Sequence, residues 1–318
     1  MNIVILERDT VGRDVDVSIF DSLGTVTSYP VTAYEDISER VKDADAIIAN
    51  KSKLNESTLK DATHVKYIGE FATGYDNIDI EYCRKRGIAV TNVRGYSTPA
   101  VVQHTFALCF YVLEHLRHYD EYVKSGEYGS QSGFSNFDIP FTELSGKTWG
   151  IIGLGNIGKG VAKVAESFGC RVIYYSTSGK NTDDTYKSVT FDELLANADI
   201  ISCHCPLNAS TNSLINLEAM KKMKSSAVII NVARGPVVNN KDLYEALEAG
   251  IIAGAGLDVL DGEPITPDNP LGRFKNSDRL IITPHMAWAS TEARHRCVDE
   301  AFANLEAYVK GESRCRVV

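Results

Sequence analysis

Three residues stand out because their types and settings suit one reaction: Arg234, Glu263 and His285. Each closes an apolar run that reads as a buried strand. Arg234 follows Ala227–Val232, Glu263 follows Ala253–Val259, and His285 follows Leu280–Thr283. In a parallel sheet the carboxyl ends of neighbouring strands lie along one edge, where the ligand crevice forms. The three side chains can therefore converge although they lie far apart in the chain. A cation, a carboxylate and a histidine at one place suit carbonyl reduction. The fork of Arg234 can bind a carboxylate or a carbonyl oxygen. Glu263 can hydrogen-bond His285 and raise its pKa. A protonated His285 can then give its proton to the oxygen as hydride reaches the carbon, and take it back in oxidation. Taken singly, each has a plainer reading: a solvated Arg or Glu, or a structural histidine beside Pro284 and Trp288.

The hydride source is indicated upstream. Thr148–Tyr175 reads as strand, glycine turn, helix, strand. Trp149–Ile152 is apolar, Gly153, Gly155 and Gly158 form GxGxxG, and Val161, Val164, Ala165 and Phe168 fall at helical spacing. Within such a unit the motif marks a dinucleotide site, and alone it would mark only a turn. Gly153, Gly155, Asn156, Ile157 and Gly158 are then cofactor residues, with a pyrophosphate at the helix N-terminus. An acidic residue normally ends the second strand and binds the adenosine ribose. Here Ser176 stands there, followed by Thr177, Ser178 and Lys180, which can donate to a 2′-phosphate. NAD(H) or NADP(H) is expected, with a lean to NADP(H). Asp183 or Asp184 can still reach the ribose.

Bulk composition frames these motifs. A chain of 318 residues with 44% hydrophobic and 24% charged residues suggests roughly two soluble domains. A net charge of −9 argues against nucleic acid or an acidic membrane as partner. No apolar run is long enough to span a bilayer, and no signal peptide precedes the first strand, so a cytoplasmic protein is expected. The seven cysteines lack a disulfide framework. Cys203-His204-Cys205 is a poor metal motif without a second cluster, and no metal is expected.

Residues 1–97 alternate short strands with polar helices, the signature of a small α/β domain. Thr98-Pro99 opens a helix apolar nearly all round, which reads as buried. Residues 117–145 read as a long loop, rich in Tyr and Phe, that suits an arm at a subunit interface. The amphipathic tail Thr291–Lys310 should return to the first domain. The expected fold is α/β: two Rossmann-like or flavodoxin-like domains with parallel sheets and the active site in the cleft between them. Residues 1–98 plus 287–318 would bind substrate, and residues 99–286 the dinucleotide.

Seven stretches resemble the D-isomer-specific 2-hydroxyacid dehydrogenase family: ATGYDNID (72–79), VVQHTFAL (101–108), GLGNIGKGVA (153–162), CHCPLNAST (203–211), INVARGPVVNNKDLYEAL (230–247), AGAGLDVLDGEP (253–264) and ITPHMAWAS (282–290). The resemblance implies that Arg234, Glu263 and His285 are catalytic and that the backbone of Ala72, Thr73 and Gly74 binds the substrate carboxylate. From the residues alone that loop reads more readily as a plain turn. The resemblance also implies that Asp258 holds the nicotinamide carboxamide, that Thr105, Pro206, Thr211, Val232 and Ala233 touch cofactor, and that the protein is a homodimer. Gln103 stands where the family often has glutamate. Lys51 and Trp288 resemble the glycerate dehydrogenase and hydroxypyruvate reductase branch, so small 2-keto acids are the expected substrates: hydroxypyruvate, glyoxylate or pyruvate. No arginine cluster near the Ala72 loop offers a phosphate site, and no regulatory domain is appended. Two other readings remain open. One is a nucleotide-sensing binding protein of this fold, like the C-terminal-binding-protein corepressors. The other is a dehydrogenase for D-lactate, formate or phosphite.

Overall fold

The computed structural model describes residues 1–180 and 183–318. The chain divides into two units, Met1–Ser97 with Trp288–Val318, and Thr98–Ala287. These boundaries lie one residue from those expected at each crossing.

In the first unit the strands β1 (Asn2–Ile5), β2 (Thr25–Ser28), β3 (Ala46–Ala49), β4 (Tyr67–Glu70) and β5 (Ala89–Thr91) alternate with helices α1 (Ile37–Val41), α2 (Glu56–Leu59) and α3 (Ile80–Arg86). They form one parallel sheet in the order β2-β1-β3-β4-β5. The inner strands are buried on both faces, so their sequences are continuous apolar runs rather than alternations. Asn55 and Asp79 cap α2 and α3, and Gly87 closes α3 in the left-handed conformation.

The second unit opens with α4 (Thr98–Leu113), which packs on the sheet of its own unit. Two glycines in that sheet permit the approach. A Cβ on Gly254 or Gly256 would come within 2.6 or 2.8 Å of Val112 or Leu108. The stretch expected as a loop is partly helical: α5 (Leu116–Lys124) and a single turn, α6 (Glu127–Ser130). His115, at φ 51°, separates α5 from α4. Exposed pairs four residues apart, Arg117–Glu121 and Lys124–Asp120, support α5 where an apolar stripe would not. Beyond it Phe134, Phe137 and Phe141 are exposed.

The remaining elements follow in order: β6 (Thr148–Ile152), α7 (Asn156–Ser167), β7 (Arg171–Tyr175), β8 (Lys187–Ser188), α8 (Phe191–Asn197), β9 (Ile200–Cys203), α9 (Leu217–Lys221), β10 (Val228–Asn231), α10 (Asn240–Glu248), β11 (Gly254–Leu257) and β12 (Leu280–Ile282). They make a seven-stranded parallel sheet, β12-β11-β10-β9-β6-β7-β8. β8 escaped the sequence reading because it is two exposed polar residues. Strand order reverses between β6 and β9, which is where open α/β sheets bind ligands.

The last helix, α11 (Thr291–Val309), returns to the first unit. Tyr308 packs on Tyr67 and Phe302 on Phe20, while Asn304 donates to the Asn92 carbonyl. Arg294 grips the carboxylate of Asp14, and that hydrogen bond holds Asp14 down at about 2.

Candidate active site

At the reversal point Gly153 ends β6 with φ 92°, a conformation that favours glycine. Gly155 is the N-cap of α7, and no side chain caps that helix end. A Cβ added to Gly155 would meet nothing within 4 Å. Asn156 is exposed, Ile157 is half-buried, and Gly158 packs against the Gly153 carbonyl. The amides of the first helical turn thus face an open cradle suited to a pyrophosphate.

At the end of β7 the Ser176 hydroxyl oxygen is buried and has no partner among the described residues. Thr177 is half-buried, while Ser178 and Lys180 are exposed. Asp183 does not face this position unpaired. Its carboxylate meets Lys159 of α7 at 2.9 Å, and that hydrogen bond pulls its pKa down to about 2. Asp184 is exposed. An orphaned buried hydroxyl beside an open glycine cradle fits a bound dinucleotide.

Next to the turn, β9 delivers Cys203-His204-Cys205. Both cysteines are buried, and the His204 amide donates to the Ile152 carbonyl. His204 Nε2 lies 2.9 Å from Ser202 Oγ, which also accepts from Trp149. Burial pushes the imidazole from 6.5 down to about 3. A neutral histidine in the fold binds fewer protons than the unfolded chain between those values. The stability tied to it is therefore complete above about pH 6.5 and is lost as pH falls toward 3. His204→Gln is expected to shrink the drop in Tm between pH 7 and pH 4, read by thermal unfolding at both pH values.

Other expected cofactor contacts divide. Pro206 is exposed, and Thr211 is buried with its hydroxyl on the Pro206 carbonyl, which shapes that loop. Val232 is buried and Ala233 half-buried. Thr105 is fully buried, and its hydroxyl donates to the Val101 carbonyl one turn back in α4. That bond uses the proton of the Thr105 hydroxyl within the helix and leaves its oxygen as an acceptor. Its neighbour His104, which the sequence reading passed over, faces the site: Nε2 lies 2.9 Å from Thr283 Oγ1.

Arg234, Glu263 and His285 follow β10, β11 and β12, which are adjacent in the sheet. The Asn231 side chain pins the first loop, accepting from the Ala233 amide and donating to the Arg234 carbonyl. Only glycine fits at 235, because a Cβ there would sit 1.9 Å from Leu260 C and O. The Arg234 loop therefore lies directly against the loop that carries Glu263. Glu263 Oε1 accepts from the Leu260 amide at 2.8 Å, and Oε2 meets His285 Nδ1 at 2.6 Å. His285 has φ 54°, an uncommon conformation for a non-glycine residue. Its amide donates to the Asp258 carbonyl at 2.8 Å.

Asp258, 2% exposed, holds this arrangement. Its Oδ1 accepts from Thr283 Oγ1 at 2.6 Å and from the Met286 amide at 2.8 Å, and Oδ2 accepts from the Ala287 amide at 2.8 Å. One acceptor position remains on Oδ2. This clamp joins residues distant in the chain, so no local motif marks it.

In the first unit, Ala72, Thr73 and Gly74 follow β4. The Ala72 carbonyl accepts from the Val93 amide, the Thr73 carbonyl from Asn92 Nδ2, and the Thr73 hydroxyl donates to the Val93 carbonyl. The amides of Ala72, Thr73 and Gly74 donate to no described residue. Lys51 is exposed, with its amide on the Glu7 carboxylate. Trp288 packs edge-on against Tyr96 at 6.2 Å. One arginine does lie at the Ala72 loop: Arg94 Nε donates to Asn92 Oδ1. Sequence spacing alone did not reveal it.

Residues 106–287 match the model of the D-isomer specific 2-hydroxyacid dehydrogenase, NAD binding domain. The chain is 37% identical to a hydroxypyruvate reductase from Blautia hydrogenotrophica over 98% of both proteins. Its fold matches an NADPH-dependent glyoxylate/hydroxypyruvate reductase from Sinorhizobium meliloti, solved with NADP and malonate. That match has a TM-score of 0.84, 26% identity, and coverage of 100% of this chain and 96% of the other. A D-lactate dehydrogenase from Aquifex aeolicus, solved with NAD and lactic acid, matches with a TM-score of 0.86 and 28% identity, over 98% and 96% of the two chains. The chain is an NAD(P)-dependent oxidoreductase and belongs to the D-isomer specific 2-hydroxyacid dehydrogenase family.

Proposed function

We propose that this protein reduces hydroxypyruvate and glyoxylate to the corresponding 2-hydroxy acids, using NADPH in preference to NADH. The observation that carries the chemistry is the 2.6 Å contact between His285 Nδ1 and Glu263 Oε2. It fixes one ring nitrogen on a carboxylate and leaves Nε2 as the proton donor to a substrate oxygen. Arg234 binds the keto acid, and the amides of Ala72, Thr73 and Gly74 take its carboxylate. Lys51 adds positive charge there, and Trp288 contributes an apolar wall to the substrate site. A nicotinamide cofactor held here would supply the hydride for the carbonyl carbon. The last acceptor position of Asp258 would hold that cofactor's carboxamide.

The buried Ser176 hydroxyl without a partner, and the pairing of Asp183 with Lys159, support the NADPH preference. Ser176→Asp is expected to reverse it, because a carboxylate repels a 2′-phosphate and accepts from a 2′-hydroxyl. kcat/KM with NADPH should fall about 100-fold while that with NADH holds or rises. A parent that already favours NADH would sink this part of the proposal.

The exposed Phe134, Phe137 and Phe141 support a homodimer formed through this segment. Seven free cysteines, six of them buried, support a reducing, cytoplasmic setting. The decisive test is nucleotide oxidation followed by absorbance across a panel of 2-keto acids. Turnover restricted to pyruvate would move the activity to D-lactate dehydrogenase. No turnover with any acid, despite nucleotide binding, would favour a binding protein.

A further inference from the structure

Strands β3, β4 and β5 are consecutive and parallel, so the loops at their carboxyl ends are neighbours. The central one is Ala72–Gly74, with Lys51 following β3 on one side and Arg94 following β5 on the other. Each cation thus flanks the candidate carboxylate loop at about one strand spacing, roughly 5 Å in backbone terms. Arg94 is tied to the loop itself. Its Nε donates to Asn92 Oδ1 at 3.2 Å, and Asn92 Nδ2 donates to the Thr73 carbonyl at 2.6 Å. One asparagine therefore fixes both the guanidinium and the loop. The terminal nitrogens of Arg94 make no hydrogen bond or ion pair among the described residues, and the residue is exposed.

Three acidic groups lie at the same sheet edge. The Glu7 carboxylate accepts from the amides of Asn50 and Lys51. Glu70 is fully buried with Asn77 as its partner, and burial pushes its carboxyl upward, toward the neutral form. Asp76 is exposed, one turn of chain beyond the loop. In a chain of net charge −9 the general field repels an anionic substrate. An anion site needs local cations, and a guanidinium with idle donors beside unpaired amides supplies one.

We propose that Arg94 is a substrate-binding residue that captures the carboxylate of small 2-keto acids at the Ala72–Gly74 loop, together with Lys51. The assignment rests on the proposed 2-keto acid reductase activity. It acts on binding and not on proton transfer, so it separates KM from kcat.

The test uses the full-length enzyme. In Arg94→Gln, KM for glyoxylate and hydroxypyruvate should rise about tenfold at low ionic strength, the loss expected of one exposed charge-assisted contact. kcat and the KM for nucleotide should change less than twofold. Arg94→Lys should recover most of the loss, since it keeps the charge, and it also guards against misfolding of the glutamine variant. Added salt should raise KM more steeply in the parent than in Arg94→Gln. Calorimetry with oxamate on the NADPH-loaded enzyme should show the same weakening without turnover. Unchanged KM and unchanged oxamate affinity in Arg94→Gln, with an active parent, would overturn the role of Arg94 alone. A parent that reduces no 2-keto acid would overturn the functional reading, and this assignment with it.

Discussion

Replacing His285 with alanine is expected to lower kcat for 2-keto acid reduction by about 10³-fold and to leave nucleotide affinity unchanged. The loss follows from the geometry. Glu263 is anchored by the Leu260 amide and in turn anchors His285 Nδ1, so the ring has one orientation and one outward nitrogen. Water reaching the same oxygen is a weaker and unplaced acid. Glu263→Gln is expected to cost less, about 10-fold to 100-fold, because its one amide oxygen can still accept from Nδ1 if the NH₂ turns toward the Leu260 amide, but it cannot stabilise an imidazolium. Steady-state rates and nucleotide titration by fluorescence check both variants. His285→Ala activity within threefold of the parent would remove His285 from its role as proton donor.

The parts of this site that were legible in the sequence are those whose signal is local. The glycine turn shows itself because strand, turn and helix are contiguous from Thr148 to Ser167. The ends of β10, β11 and β12 were legible because each is a short apolar run followed by one polar group of distinctive type. The supporting contacts were not legible, because they join residues distant in sequence. Asp258 holds amides at positions 286 and 287, and His104 reaches Thr283 from a helix that begins the unit. Thr105 carries no local signal of its own: its hydroxyl bonds back to Val101 within the helix, and only the resemblance marks it. The helix α5 was missed for another reason. It has no buried residue, and polar pairs on its surface, not an apolar stripe, accompany it.

Asp258→Ala is expected to lower kcat about 100-fold and Tm by about 10 °C, the two effects arising from one cause. The substitution strips partners from the amides of Met286 and Ala287 and from the Thr283 hydroxyl. Thr283 can turn to His104, but the Ala287 amide is buried and the Met286 amide partly so. Buried donors without partners cost about 1–3 kcal/mol each. The same turn keeps His285 at a positive φ, which costs about 1–3 kcal/mol more unless the surroundings enforce it. With the clamp removed, that strain relaxes by letting His285 leave Glu263. Asp258→Asn separates the contributions. Its oxygen can still accept from Thr283 and Met286, while its NH₂ faces the Ala287 amide as one donor against another. It should therefore fall between parent and alanine variant in both Tm and kcat. If Asp258 acted only on the nicotinamide carboxamide, both variants would raise the KM for nucleotide and leave Tm where it was. That outcome would reduce the clamp to a contact without consequence and would require another explanation for the positive φ of His285.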